Sequence, residues 1–306
     1  MSDSYSKQQS QTNVRQVSLW ILPIITILIF FIGQILAVVP VLSTGLIKPE
    51  EMEQYPNILF TLLGPFSMGL VLLFCWVRFY ERTNLNSIGL QFGNNDGFNL
   101  ATGSSIALLM GITSVMLIWM SGGYQRGENS TGLLAAMAPS LLLLIAFAVQ
   151  ASVEEIFFRG WLLNRIQAKK GKVWAVVGSS AMFTLIHLLS FDPDNNNLTT
   201  FVIFVTMLML FSVFLALMTL KLKSIWFACG WHVVWNWMFI NLFGLPTTGI
   251  SLDTPSIMAD LNTNPASPIW LSGGTAGPEN SVITLAILLV TCLVAWKKYK
   301  QTLAHN

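Results

Sequence analysis

Runs of about 17 to 20 apolar residues are long enough to cross the ~30 Å hydrocarbon core of a bilayer as α-helices. Eight runs of this kind can be drawn on this chain, at about 17–43, 57–78, 98–121, 132–162, 173–190, 199–220, 224–244 and 281–296. They predict an all-α membrane protein, a polytopic bundle of about eight transmembrane helices. The composition agrees: 10% of the residues are charged, against roughly 25% in soluble domains. A net charge of +2, spread in short basic clusters between apolar runs, argues for no nucleic-acid partner. The bilayer itself is the expected surrounding.

Residues 1–16 read as a polar N-terminal tail, 17–297 as one integral membrane domain and 298–306 as a C-terminal tail. Lys7 and Arg15 precede a first run that has no small-residue cleavage site, the pattern of an uncleaved signal anchor. Pro139 starts or kinks the fourth helix. The stretch 245–280, with five prolines among many Asn, Ser, Thr and Gly, reads as an irregular external loop. Cys75, Cys229 and Cys292 fall inside apolar runs without ligand-like spacing and read as small buried hydrophobes.

Lys and Arg are retained on the cytoplasmic side of a membrane, which orients the bundle. With the N-terminus inside, thirteen of the sixteen basic residues fall on inside segments, among them Lys7, Arg15, Arg165, Lys169, Lys170 and Lys172. The outside segments hold only Lys48 and Arg126, together with most of the acids: Glu50, Glu51, Glu53, Glu128, Asp192, Asp194, Asp253, Asp260 and Glu279. Both termini are therefore expected to be cytoplasmic, in what reads as a bacterial cytoplasmic membrane.

Three charges remain inside the spans: Glu154, Glu155 and Arg159. An ionisable group at bilayer depth is costly and usually faces a protein interior or a water-filled cavity. His187 on the fifth span and His232 on the seventh are also embedded, while His305 lies in the tail. Counting from the nearest basic cluster at ~1.5 Å per residue puts Glu154 at ~16 Å, His187 at ~22 Å, His232 at ~14 Å and Asn236 at ~20 Å. Three helices thus bring polar groups to a similar depth, which suggests a single site. Glu155 and Arg159 are an i, i+4 pair in the favourable order and read as a helix-locking ion pair. Glu154, about 100° round the helix, is the freer carboxylate and suits a general base. His232 and Asn236 also share a helix face, and Phe183 lies one turn before His187.

This set supports two mechanisms. In one, Glu154 with His187 activates a water while His232 and Asn236 donate to the oxyanion of a peptide carbonyl. In the other, Glu154, His187 and His232 bind Zn²⁺ and lower the pKa of a bound water. No HExxH is present, and spacing alone does not choose between them.

Glu154-Glu155-x-x-x-Arg159, Phe183-x-x-x-His187 and His232-x-x-x-Asn236, in that order on successive membrane helices, resemble the CPBP (Abi) family of intramembrane proteases, which includes the eukaryotic Ras-converting CAAX endopeptidase. The resemblance covers about 145–245. It implies an intramembrane endopeptidase with Glu154, His187, His232 and Asn236 as catalytic residues and Glu155, Arg159 and Phe183 in support. It favours a metal-free, glutamate-type mechanism with no cofactor, with zinc as the alternative. Its implied substrate is a membrane-embedded or lipidated peptide or protein tail, a prenylated CAAX-like end or a bacteriocin-type precursor, reaching the site from the cytoplasmic side. The rival readings are a transporter using the Glu/His cluster and a non-proteolytic immunity or binding protein.

Overall fold

A computed structural model describes residues 15–127, 133–191 and 197–304. Lys7, Glu128, Asp192, Asp194 and His305 lie outside the described residues. The eight expected spans appear as long helices: α1 Leu22–Ser43, α2 Ile58–Cys75, α3 Asp96–Met120, α4 Leu133–Glu155, α5 Leu163–His187, α6 Leu198–Leu222, α7 Trp226–Phe243 and α8 Val282–Ala304. α4 includes Pro139 and runs on through a π-helical segment, Ile156–Leu162, into α5. α5 is broken at Gly171 (φ 80°, ψ 178°), where the chain folds back. The return is tight: the Phe158 and Phe183 rings meet edge to face at 5.2 Å, and a Cβ on Gly178 would lie 2.9 Å from Ile166 Cδ1.

Among the described residues, six helical runs are long and apolar enough to cross a membrane: Leu22–Ser43, Ile58–Tyr80, Asp96–Met120, the folded-back Leu133–Ser190, Leu198–Leu222 and Val282–Gln301. The protein is an integral membrane protein. α7 is not among the six, because His232, Asn236 and Asn241 offset its apolar residues. It lies at the centre of the bundle instead, with 14 of its 18 residues buried.

Local chemistry sets the ends of the helices that carry the site. Asn197 and Thr200 form a reciprocal capping box at the start of α6. Lys223 (φ 52°) stops that helix, Ser224 accepts from the Trp226 backbone to start α7, and Gly244 (φ 66°) stops α7. Two glycines let α7 reach the centre. A Cβ on Gly103 of α3 would come within 2.2 Å of the Phe227 carbonyl oxygen, and one on Gly230 of α7 within 2.2 Å of that of Leu100. Ser104 Oγ donates to the Gly230 carbonyl at 3.2 Å across the same contact. Small residues permit such close packing between membrane helices.

The bundle has two unlike ends. At one, the Arg15 backbone bonds to Glu81, Lys169 donates to the Val17 carbonyl, Ser224 meets Asp96 at 2.5 Å and Lys172 lies over Tyr299. The basic clusters gather here around a buried acid, Glu81, which accepts from Trp76, Trp161 and Arg165. At the other end, the largely irregular stretch 245–280 is tied down by pairing and burial. Leu261–Thr263 pairs antiparallel with Tyr124–Arg126, Tyr124 Oη donates to Ser272 at 2.6 Å, and Glu279 is buried. The last helix passes the expected end at 296 and continues to Ala304. Cys229 and Cys292 are buried, whereas Cys75 is exposed.

Replacing Gly230 by leucine forces α3 and α7 apart and is expected to destabilise the fold by about 1–3 kcal/mol, the usual cost of overpacking. Thermal unfolding of the purified protein in detergent measures it, and an unchanged midpoint would contradict the close contact.

Candidate active site

The end of α4 is where charge meets the apolar interior. Arg159 and Glu155 have no exposed surface, and Arg159 Nη1 donates to Glu155 Oε1 at 2.9 Å. The guanidinium also donates from Nη2 to Ser212 Oγ of α6 at 3.0 Å and lies 4.5 Å from the centre of the Phe183 ring. An ion pair, a neutral hydrogen bond and an aromatic face together offset the desolvation of this charge.

Glu155 does more than bind Arg159. The same Oε1 lies 2.8 Å from Nδ1 of His232 on α7. The carboxylate therefore ties α4 to α7 and turns the imidazole so that Nε2 faces Glu154, a link the i, i+4 reading did not contain. His187 is fixed by other means: its Nδ1 lies 2.8 Å from the Phe183 carbonyl oxygen, and its ring stacks on Phe183 at 4.1 Å. Phe183 in turn stacks on Phe211. Thus Phe183 braces both His187 and Arg159.

The four residues expected to be catalytic come together. Glu154 Oε2 stands 3.7 Å from His187 Nε2 and 3.7 Å from His232 Nε2. Glu154 Oε1 accepts from Gln150 Nε2 at 2.8 Å, and Asn236 Nδ2 donates to Gln150 Oε1 at 3.1 Å. Gln150 was not among the residues singled out from the sequence, although it sits one helical turn before Glu154 on the same face. One Glu154 oxygen is thereby occupied, and the other is buried with no hydrogen-bond partner among the described residues. A separation of 3.7 Å is too long for a direct hydrogen bond.

These groups form the floor of a cavity of about 590 Å³. Its walls come from α2, α4, α5, α6 and α7 and include Gln34 of α1. Its rim is made by Glu53, Leu189–Phe191, Thr247–Ile250 and the turn at Thr275–Ala276. Glu279 holds this rim in place. Trp235 Nε1 donates to its Oε1 at 2.6 Å, while Oε2 accepts from the Thr248 backbone at 2.5 Å and from the Thr247 and Thr248 hydroxyls at 3.1 and 2.9 Å. No motif in the sequence marks Glu279, because its partners are far from it along the chain. The set considered for zinc, Glu154, His187 and His232, is drawn together, yet among the described residues no group of three His, Cys, Asp or Glu side chains is spaced to hold a metal ion.

Fold and site define a class: a polytopic α-helical membrane protein with a Glu, His and Asn cluster at the bottom of a chamber within the bundle. Residues 136–238 match the family model of type II CAAX prenyl endopeptidases, Rce1-like. The match covers about a third of the chain, includes every motif residue, and supports a likeness to CAAX-type intramembrane proteases. No curated protein and no solved structure matches the chain.

Glu155→Gln leaves Arg159 as a buried cation without its counter-charge, a loss that costs about 3–5 kcal/mol. Glu154→Gln keeps the Gln150 contact and breaks no ion pair with Arg159. Denaturant unfolding in detergent is therefore expected to show a large loss for the first variant and a small one for the second; equal losses would contradict the division of roles.

Proposed function

We propose that the protein is a glutamate-type intramembrane endopeptidase. Glu154, oriented by Gln150, acts with His187 on a water, and the water oxygen attacks the carbonyl carbon of a peptide bond. Asn236, and His232 in its doubly protonated form with Nδ1–H on Glu155, donate hydrogen bonds to the oxyanion that forms, the role in which fixed donors contribute most. The proton taken from water passes to the leaving amine as the C–N bond breaks, leaving a new carboxylate and a new amine. The observation that carries this reading is the second oxygen of Glu154: buried, without a hydrogen-bond partner among the described residues, and 3.7 Å from each of two imidazole nitrogens in the wall of the cavity.

The supporting residues account for the positions of the acting ones. Glu155 sets the ring of His232 and neutralises Arg159; Phe183 sets the ring of His187. Both His side chains use Nδ1 for these contacts, so Nε2 is the nitrogen each presents to the reaction. A transporter reading finds less support, since Glu155, Arg159 and Trp231, the neighbours of the site residues, are fully buried and do not line the cavity.

Peptidase activity in detergent against a lipidated-tail reporter tests the assignment. Glu154→Gln and His187→Ala are each expected to lower the rate by about 10²–10⁴, the usual worth of a general base. Metal analysis of the same preparations is expected to give no stoichiometric zinc. Undiminished cleavage by Glu154→Gln would remove its role, and zinc lost together with His187 would replace this mechanism by a metal-dependent one.

A further inference from the structure

The cavity and the basic clusters lie at opposite ends of the molecule. Every rim segment, Glu53, Leu189–Phe191, Thr247–Ile250 and Thr275–Ala276, belongs to the end away from Arg165, Lys169, Lys170 and Lys172. Positive charge is retained on the cytoplasmic side of a membrane. Taken with the Lys/Arg asymmetry, this arrangement points the mouth of the site outward, opposite to the cytoplasmic approach that the resemblance to CAAX-type proteases implies.

The charge of the wall points the same way. Among the described residues that line the cavity there are three carboxylates, Glu53, Glu154 and Glu279, and no Lys or Arg. The nearest embedded cation, Arg159, is held by Glu155 behind the rings of Phe183 and Phe211. Of the two basic residues at this end, Lys48 pairs with Glu51 at 3.5 Å and Arg126 is exposed on its strand; neither lines the cavity. A free C-terminal carboxylate is ordinarily captured by Arg, Lys or a nest of backbone N–H groups. This chamber repels one instead.

We infer that the substrate is an extracytoplasmic polypeptide segment, neutral or cationic around the cleaved bond, and not a cytoplasmic chain end with a free carboxylate. The inference rests on the peptidase reading for the cut itself, while the side of access and the charge preference stand on the cavity alone.

Two measurements test it without relying on activity. In a Cys75→Ser background, Ser190→Cys at the rim and Lys170→Cys in the basic turn are treated with a membrane-impermeant maleimide in intact bacterial cells, then after permeabilisation. Ser190→Cys is expected to label equally in both, and Lys170→Cys only after permeabilisation; the reverse pattern overturns the outward opening. Fluorescent peptides flanked by lysines or by glutamates are then titrated against the purified Glu154→Gln protein. The lysine-flanked peptide is expected to bind at least about tenfold more tightly, ~1.4 kcal/mol, with Glu53→Lys reducing the difference. Equal or inverted affinities, or no binding of either peptide, overturn the charge preference. Correct labelling and binding with no cleavage by the wild type would instead count against the peptidase assignment.

Discussion

The structure around the site depends on how one buried cation is compensated. Arg159 has no access to water, and a charge at that depth is tolerated only with close partners. Glu155 supplies the opposite charge, Ser212 a hydrogen bond and Phe183 a ring face, from α4, α6 and α5 respectively. Satisfying one guanidinium therefore fixes three helices relative to one another. His232 brings in the fourth, α7, through the same Glu155 oxygen.

That network also separates the two adjacent glutamates. Glu155 is turned into the protein, where its Oε1 serves both Arg159 and His232. Glu154 is turned toward the cavity, where Gln150 holds one oxygen and the other faces two imidazoles. The π-helical segment Ile156–Leu162 follows directly, and such widened turns recur at functional sites because they re-aim side chains. Gly160 lies inside it, where a Cβ would come within 2.1 Å of the Ile88 carbonyl oxygen, so this segment also packs tightly against the chain before α3.

The rim depends on a second buried carboxylate. Glu279 gathers Trp235 from α7 and the backbone and hydroxyls of Thr247 and Thr248, so the segment after α7 is pinned to the turn before α8. A proline-rich stretch with little regular structure thereby becomes a wall. The floor and the rim of the cavity share α7: His232 and Asn236 face the floor, and Trp235 reaches the rim.

The apolar runs determined the eight helices, because hydrocarbon length and backbone satisfaction leave a span little choice. Spacing within helices also determined the Glu155–Arg159 pair, since i, i+4 neighbours meet whatever surrounds them. The contact of Phe183 with His187 follows from the same rule. Tertiary structure decided the rest, because it required contacts between helices distant in sequence. The bond from Glu155 to His232 spans 77 positions, and that from Trp235 to Glu279 spans 44. Gln150 carried a readable signal, one turn before Glu154, but its worth appears only once Asn236 is beside it. The end of the bundle toward which the chamber opens was likewise not in any motif: it is set by the segments, distant in sequence, that meet at its rim, Glu53, Leu189–Phe191, Thr247–Ile250 and Thr275–Ala276.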